Sequence, residues 1–387
     1  MAELKPLELY VHIPFCVRKC RYCDFLSAPA DKSTQEAYML ALLREMEKKA
    51  PDFKGRSVTS LFYGGGTPSI LSAGQIQRMQ EELQSLFSFA EDAEVTLECN
   101  PGTLSREKLA IYKGCGINRL SIGVQSANDR ELEMLGRVHT YSDFLESYDQ
   151  ARKAGFQNIN LDLISGLPGQ TLLQHEKNVK SLMRLRPEHI SVYSLMIEEG
   201  TDFFGLYGED EKARRAGKTP MLLPSEELEL AMSRRTKELL ESCGYHQYEI
   251  SNYARGDFEC RHNLGYWRRT DYLGLGLGAA SLLGNRRFSN TKELPEYLSY
   301  DFAPYGEEQL SKKSCMEEFM FLGLREISGI RKADFYRQFG VTVGNVYESA
   351  LTDMAAKGLL EETEERVFLT EAGLAVSNVV MSAFLLD

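Results

Sequence analysis

The chain has 387 residues, with 45 Lys plus Arg against 56 Asp plus Glu and a formal net charge of −11. Hydrophobic residues make up 43% and charged residues 26%, a globular composition that excludes a disordered, collagen-like or disulfide-scaffold chain. The acidic balance excludes broad, sequence-independent binding to nucleic acid.

At this length two or three domains are expected. No run reaches the roughly 18 apolar residues of a membrane helix. The opening MAELKPLELYVHIPF has no basic segment followed by an apolar core, so no signal peptide is expected. The chain is expected in the cytoplasm, with attachment to a membrane surface left open.

In chain order, short β-like runs alternate with amphipathic helical patterns. The runs are Leu7–Ile13, Val58–Tyr63, Glu94–Glu98, Arg119–Val124, Asn158–Leu163 and His189–Tyr193, and the helical patterns fall near 34–49, 75–87, 105–113, 142–154 and 171–184. This alternation predicts βαβ units and a parallel sheet. Six units fit a partial (β/α)6 barrel of the TIM type, over residues 1–200. Residues 201–310 read as a linking region with a helix at Glu226–Cys243, a strand at Tyr245–Ile250 and a glycine-rich loop at Tyr272–Gly284. Residues 311–387 read as an α+β, winged-helix-like cap. It has helices at Cys315–Leu324, Lys332–Phe339 and Val346–Lys357, a hairpin at Leu359–Leu369 and a last helix from Glu371. Residues 315–387 carry six Lys or Arg against twelve Asp or Glu. Such a cap would repel phosphate, so it is expected to pack or meet a protein partner, not nucleic acid.

The eight cysteines are three in one cluster, Cys16, Cys20 and Cys23, and five scattered. The cluster follows the first strand with the spacing C-x3-C-x2-C. Three thiolates on one short loop suit three irons of a [4Fe–4S] cube and leave the fourth iron open. A structural zinc site would want two Cys or Cys/His pairs, and no second pair lies nearby. His12 falls in a β-like run and reads as a packed residue or one that supports the ligands from behind, not as a ligand.

A parallel barrel puts its chemistry at the C-terminal ends of its strands. Those ends carry the cysteine loop, Gly64-Gly65-Gly66-Thr67-Pro68, Glu98-Cys99-Asn100, Gly123-Val124-Gln125, Asp162 with the turn Gly166-Leu-Pro-Gly169, and Tyr193 with Met196. Ligand-binding residue types at strand after strand are hard to assign to turns alone.

The set resembles the radical S-adenosylmethionine (SAM) superfamily, in its coproporphyrinogen III dehydrogenase-like branch. The resemblance implies that Cys16, Cys20 and Cys23 hold a [4Fe–4S] cluster whose open iron chelates SAM. It implies SAM contacts from Tyr10, Tyr22, Gly65, Gly66, Thr67, Glu98, Gln125, Arg137 and Asp162. An electron donor for the cluster is implied as a partner.

The branch contains the oxygen-independent dehydrogenase of heme synthesis and a set of heme chaperones. The dehydrogenase usually continues to a fourth cysteine, where this chain has Cys23-Asp24-Phe25, and it carries an N-terminal extension for which there is no room before Cys16. The chain also contains His262-Asn263-Leu264-Gly265-Tyr266-Trp267. This matches the H-N-x-x-Y-W motif associated with heme binding in the chaperones. It implies a heme site at His262, Asn263, Tyr266 and Trp267. An imidazole can ligate heme iron, and Tyr and Trp offer flat faces to a porphyrin. The expected function is therefore heme delivery to acceptor proteins, among them membrane-bound respiratory ones, with the porphyrinogen dehydrogenase as the alternative and no catalytic residue assigned.

Overall fold

A computed structural model describes residues 4–386. Six strands run parallel and in chain order: β1 (Lys5–Ile13), β2 (Arg56–Gly65), β3 (Phe89–Cys99), β4 (Arg119–Gln125), β5 (Ile159–Ser165) and β6 (His189–Ser194). Apolar residues recur along them at about every second position, with polar ones such as Glu8, Ser60, Thr96 and Asn160 buried between them. Leu7, Leu9, Val11 and Ile13 of β1, for example, are all fully buried.

The helices between them are α1 (Lys32–Lys49), α2 (Ala73–Leu86), α3 (Arg106–Gly114), α4 (Asp129–Met134), α5 (Tyr141–Lys153) and α6 (Leu172–Met183). Three start with reciprocal capping boxes, Ser72 with Gln75, Thr140 with Asp143 and Thr171 with Gln174. Each box satisfies two amides that would otherwise lack partners.

The segment expected to link the two ends instead extends the sheet on both edges. After α7 (Asp202–Arg215), α8 (Glu226–Glu241) and the short β7 (His246–Gln247), β8 (Asn252–Ala254) adds antiparallel to β6 and β7 lies antiparallel outside it. The expected strand Tyr245–Ile250 is thus a two-residue strand followed by a turn. After α9 (Arg261–Trp267), the expected loop Tyr272–Gly284 is two strands, β9 (Tyr272–Leu275) and β10 (Ala280–Leu283). The correction has a steric cause. Only a glycine at 274 lets β9 lie this close to Ala280 of β10 and to Ala279 before it, so the glycine-rich composition builds a close strand approach and not a loop. β9 pairs parallel with β1, and β11 (Arg286–Ser289) and β12 (Tyr305–Gln309) continue outward, completing a 12-stranded sheet.

α10 (Leu294–Leu298) packs beside α1. The cap follows: α11 (Lys312–Gly323), β13 (Ile330–Arg331), α12 (Lys332–Phe339), α13 (Val343–Ala356), β14 (Leu360–Glu362), β15 (Arg366–Leu369), α14 (Glu371–Ala375) and α15 (Ser377–Ser382). It has its own core around Phe335, Phe339, Tyr347 and Phe384. Its three strands are ordered β13-β15-β14, the helices-plus-wing arrangement expected. No helix among the described residues is long and apolar enough to cross a membrane.

Candidate functional site

At the C-terminal ends of the parallel strands lies a cavity of about 680 Å³. Its lining includes all three clustered cysteines, together with Tyr22, Gly65, Gly66, Thr67, Glu98, Gln125, Arg137 and Asp162. Thus every residue expected at the cluster or at SAM lines one cavity, except Tyr10.

The cysteine loop leaves β1 at Pro14. It is tied back by Cys16 N–H to Ala28 O at 3.2 Å, and by Arg21 N–H to Leu135 O at 3.1 Å. The glycine segment of β2 runs against its base: Gly66 N–H donates to Ile13 O and Thr67 N–H to Phe15 O, both at 2.8 Å. A Cβ on Gly66 would sit 2.6 Å from Phe15 O, so only glycine permits this approach.

A relay of side chains reaches the thiols. Arg137 donates to Asn100 Oδ1 at 2.6 Å, Asn100 Nδ2 to Thr67 Oγ1 at 2.8 Å, and Thr67 Oγ1 to Cys16 Sγ at 3.4 Å. Arg137 Nη1 also donates to Cys20 Sγ at 3.5 Å. One guanidinium therefore bears on two thiols, and its Nε remains buried without a partner.

The opposite wall is acidic. Glu98 accepts from Gly65 N–H at 3.1 Å. Burial and the nearby Asp162 push its pKa up to about 8. Burial likewise raises Asp162, against hydrogen bonds from Asn160, Ser191 and Ser121. Gln125 closes β4 with φ +68°, a left-handed setting that costs a non-glycine residue roughly 1 kcal/mol and is typical of ligand sites.

These features fit the implied groups. Three half-buried free thiols offer a soft donor set, the glycine cradle has no Cβ, and Arg137 keeps an unused buried N–H. Among the described residues, no three His, Cys, Asp or Glu side chains assemble a single-ion site of the zinc kind.

Sequence reasoning missed Arg119, which lines the cavity from the start of β4 and is 2% exposed. Burial acts to lower its pKa, but Cys260, Glu94, Tyr248 and Asp162 around it raise it overall. A charged residue inside the run RLSIGV was the available signal. The rim residues Phe25 and Met196 are 60% and 67% exposed.

Tyr10 lies behind the cavity. Its hydroxyl meets His12 Nδ1 at 3.0 Å, and its ring stacks on Phe62 at 6.4 Å. The residues of the H-N-x-x-Y-W motif form α9 and are split by it. Glu94 accepts from the N–H groups of Arg261 and His262, both at 3.3 Å, which caps the helix. Asn263 reaches the cavity. His262 does not. It is 1% exposed and stacks on Phe62 at 5.2 Å. Its Nδ1 meets Ser60 Oγ at 2.8 Å and its Nε2 meets Tyr266 OH at 3.1 Å. Burial, then the Arg119 charge, lower its pKa to about 3. In this arrangement both ring nitrogens are engaged, by Ser60 and by Tyr266. Trp267 lines a different groove, on the cap side of α9.

The Radical SAM superfamily matches residues 10–182, and the HemN C-terminal domain matches residues 310–376. The heme chaperone HemW of Bacillus subtilis (strain 168) is 38% identical over 381 residues, covering 97% of this chain and 98% of that protein. The heme chaperone HemW of Escherichia coli (strain K12) is 33% identical over 392 residues, covering all of both. Among solved structures, coproporphyrinogen III oxidase (HemN) from Escherichia coli, a radical SAM enzyme, superposes with a TM-score of 0.83 at 28% identity. The match covers 99% of this chain and 90% of that one.

Proposed function

The chain belongs to the heme chaperone HemW family of the radical SAM superfamily, and from that membership we propose that it binds heme and passes it to acceptor proteins. The observation that carries this reading is relatedness to heme chaperones over both the barrel and the cap, at higher identity than to the structurally similar oxidase. The Asp24-Phe25 sequence after Cys23 supports it, because the dehydrogenase usually carries a fourth cysteine there.

Cys16, Cys20 and Cys23 would hold the [4Fe–4S] cluster. When bound, such a cluster supplies an open iron able to chelate SAM and, once reduced, an electron. The chain's own part is positional. Arg137 and Thr67 orient the thiols, Gly65 and Gly66 admit the cofactor close to the backbone, and Glu98 and Asp162 hold the acidic wall. Axial ligation of heme by His262 requires α9 to leave its seat against Ser60 and Phe62. An electron donor for the cluster and membrane-bound acceptors complete the reading, with the protein itself in the cytoplasm.

The test is anaerobic incubation of the cluster-reconstituted protein with SAM, a reductant and coproporphyrinogen III, beside a hemin transfer assay to an apo-acceptor. Hemin transfer without protoporphyrinogen is expected. Catalytic accumulation of protoporphyrinogen would make the chain a dehydrogenase and overturn the proposal.

A further inference from the structure

On the cap side of α9 lies a second groove of about 620 Å³, within the size range of small-molecule sites. One wall is Trp267, the chain's single tryptophan. Its indole N–H is buried and has no acceptor, and Arg325 covers one of its faces at 4.3 Å. Phe319 of α11 also lines the groove.

The charges in the groove are unevenly satisfied. Arg268 forms a two-point pair with Glu326, at 2.9 and 2.7 Å. Arg337 pairs with Asp334 at 2.7 Å. That neutralises both acids of the lining. Arg331 and Arg366 are left. They stand directly opposite each other in the antiparallel pair of β13 and β15, and both line the groove. Arg366 gives one N–H to Ser328 O at 2.9 Å. Neither forms an ion pair among the described residues. Like charges directly opposite on a sheet repel. Here they do so inside a cap that has more acids than bases. A ligand with two carboxylates would relieve the repulsion, and planar guanidinium groups suit that geometry. The groove is lined by no His, Cys, Met or Tyr, so it offers no side chain to an iron.

We propose that this groove docks a porphyrin, with its two carboxylates on Arg331 and Arg366 and its ring against Trp267 and Phe319. The proposal rests on the heme reading above and names where the cargo sits. It also gives the motif a physical division of labour, in which His262 seats α9 inward while Trp267 faces the cargo. A porphyrin held by its rim and its ring keeps its metal free of protein ligands, which suits hand-over to an acceptor that supplies them.

The test titrates hemin, metal-free protoporphyrin IX and protoporphyrin IX dimethyl ester into the full-length protein, following quenching of Trp267 emission. Hemin and protoporphyrin IX are expected to bind within about threefold of each other, and the ester at least about tenfold more weakly. R331Q/R366Q is expected to weaken both acids by at least about tenfold, and R331K/R366K to recover part of the loss. The ester arm uses the unaltered protein, so the test survives a variant that fails to fold. If hemin binds but metal-free protoporphyrin does not, or if R331Q/R366Q binds hemin like the parent, the groove is not the site and the heme reading stands. If the unaltered protein binds no hemin, the heme reading falls and the groove falls with it.

Discussion

Glu8 lies against Gly265 of α9 at 3% exposure. Burial first, reinforced by the Glu94 charge, raises its pKa from the usual carboxylate range to about 9. The folded chain therefore holds a proton there that the unfolded chain has released. The stability this contributes is fully present below the unfolded pKa and is lost as pH rises towards 9, at about 1.4 kcal/mol per pH unit as an upper limit. Glu8→Gln keeps a neutral polar group at every pH. It should raise the thermal midpoint at pH 8.5 and leave it nearly unchanged at pH 5. Parallel pH profiles for variant and parent would show that Glu8 is ionised in the fold. The thiols separate in the same residue-by-residue way. Alanine at Cys16, Cys20 or Cys23 should drop the reconstituted protein from about four irons per chain to almost none. Serine at Cys99, which burial holds in the thiol form, should retain them. Iron analysis and the visible cluster absorption decide both.

Among the elements, the six parallel strands were legible because short runs with recurring apolar residues, such as Leu7, Leu9, Val11 and Ile13, alternate with helical patterns along the chain. The cofactor wall was legible because polar residues at the ends of such runs have no structural reason to recur. The β9–β10 pair was not. Its glycines look like loop chemistry until Ala280 is known to lie across from Gly274, and that is tertiary information. α4 and α9, with six and seven residues, are too short to show a periodicity. For His262 the motif was visible, but the closure of both ring nitrogens by Ser60 and Tyr266 depends on partners 202 and 4 residues away. The contact between the end of β2 and the cysteine loop supplies the test at this scale. Gly66→Ala pushes a methyl group into Phe15 O and Ile13 O and should part the two segments. SAM affinity should fall by at least about tenfold, with iron content less affected. Unchanged SAM affinity in equilibrium dialysis would mean that the glycine cradle is not a binding element.

Across the whole molecule, body and cap have separate cores joined by a buried clasp. Arg269, with its side chain 2% exposed, meets Glu318 of α11 at 3.0 Å, and Arg287 meets the same carboxylate at 2.7 Å. Removing one member of a buried pair leaves an uncompensated charge and costs about 3–5 kcal/mol. Glu318→Ala should therefore lower the thermal midpoint sharply. The apolar pair R269M/E318L should recover most of the loss, since such replacements are often neutral. A midpoint for Glu318→Ala within error of the parent would show that the clasp contributes nothing to stability.

β1 carries the cysteine loop and lies between β2 and β9, and its Leu9 pairs with Leu273. One flank of that strand is therefore finished early in synthesis and the other very late. At about 5–20 residues per second, the ribosome needs roughly 15 to 50 s to travel from one partner to the other. Throughout that interval β1 is an edge strand with unpaired amides. Its loop hangs from a scaffold closed on one side only. Contacts this far apart in sequence also slow folding once the chain is complete. The sheet that carries the cysteine loop is therefore complete only when most of the chain has been made.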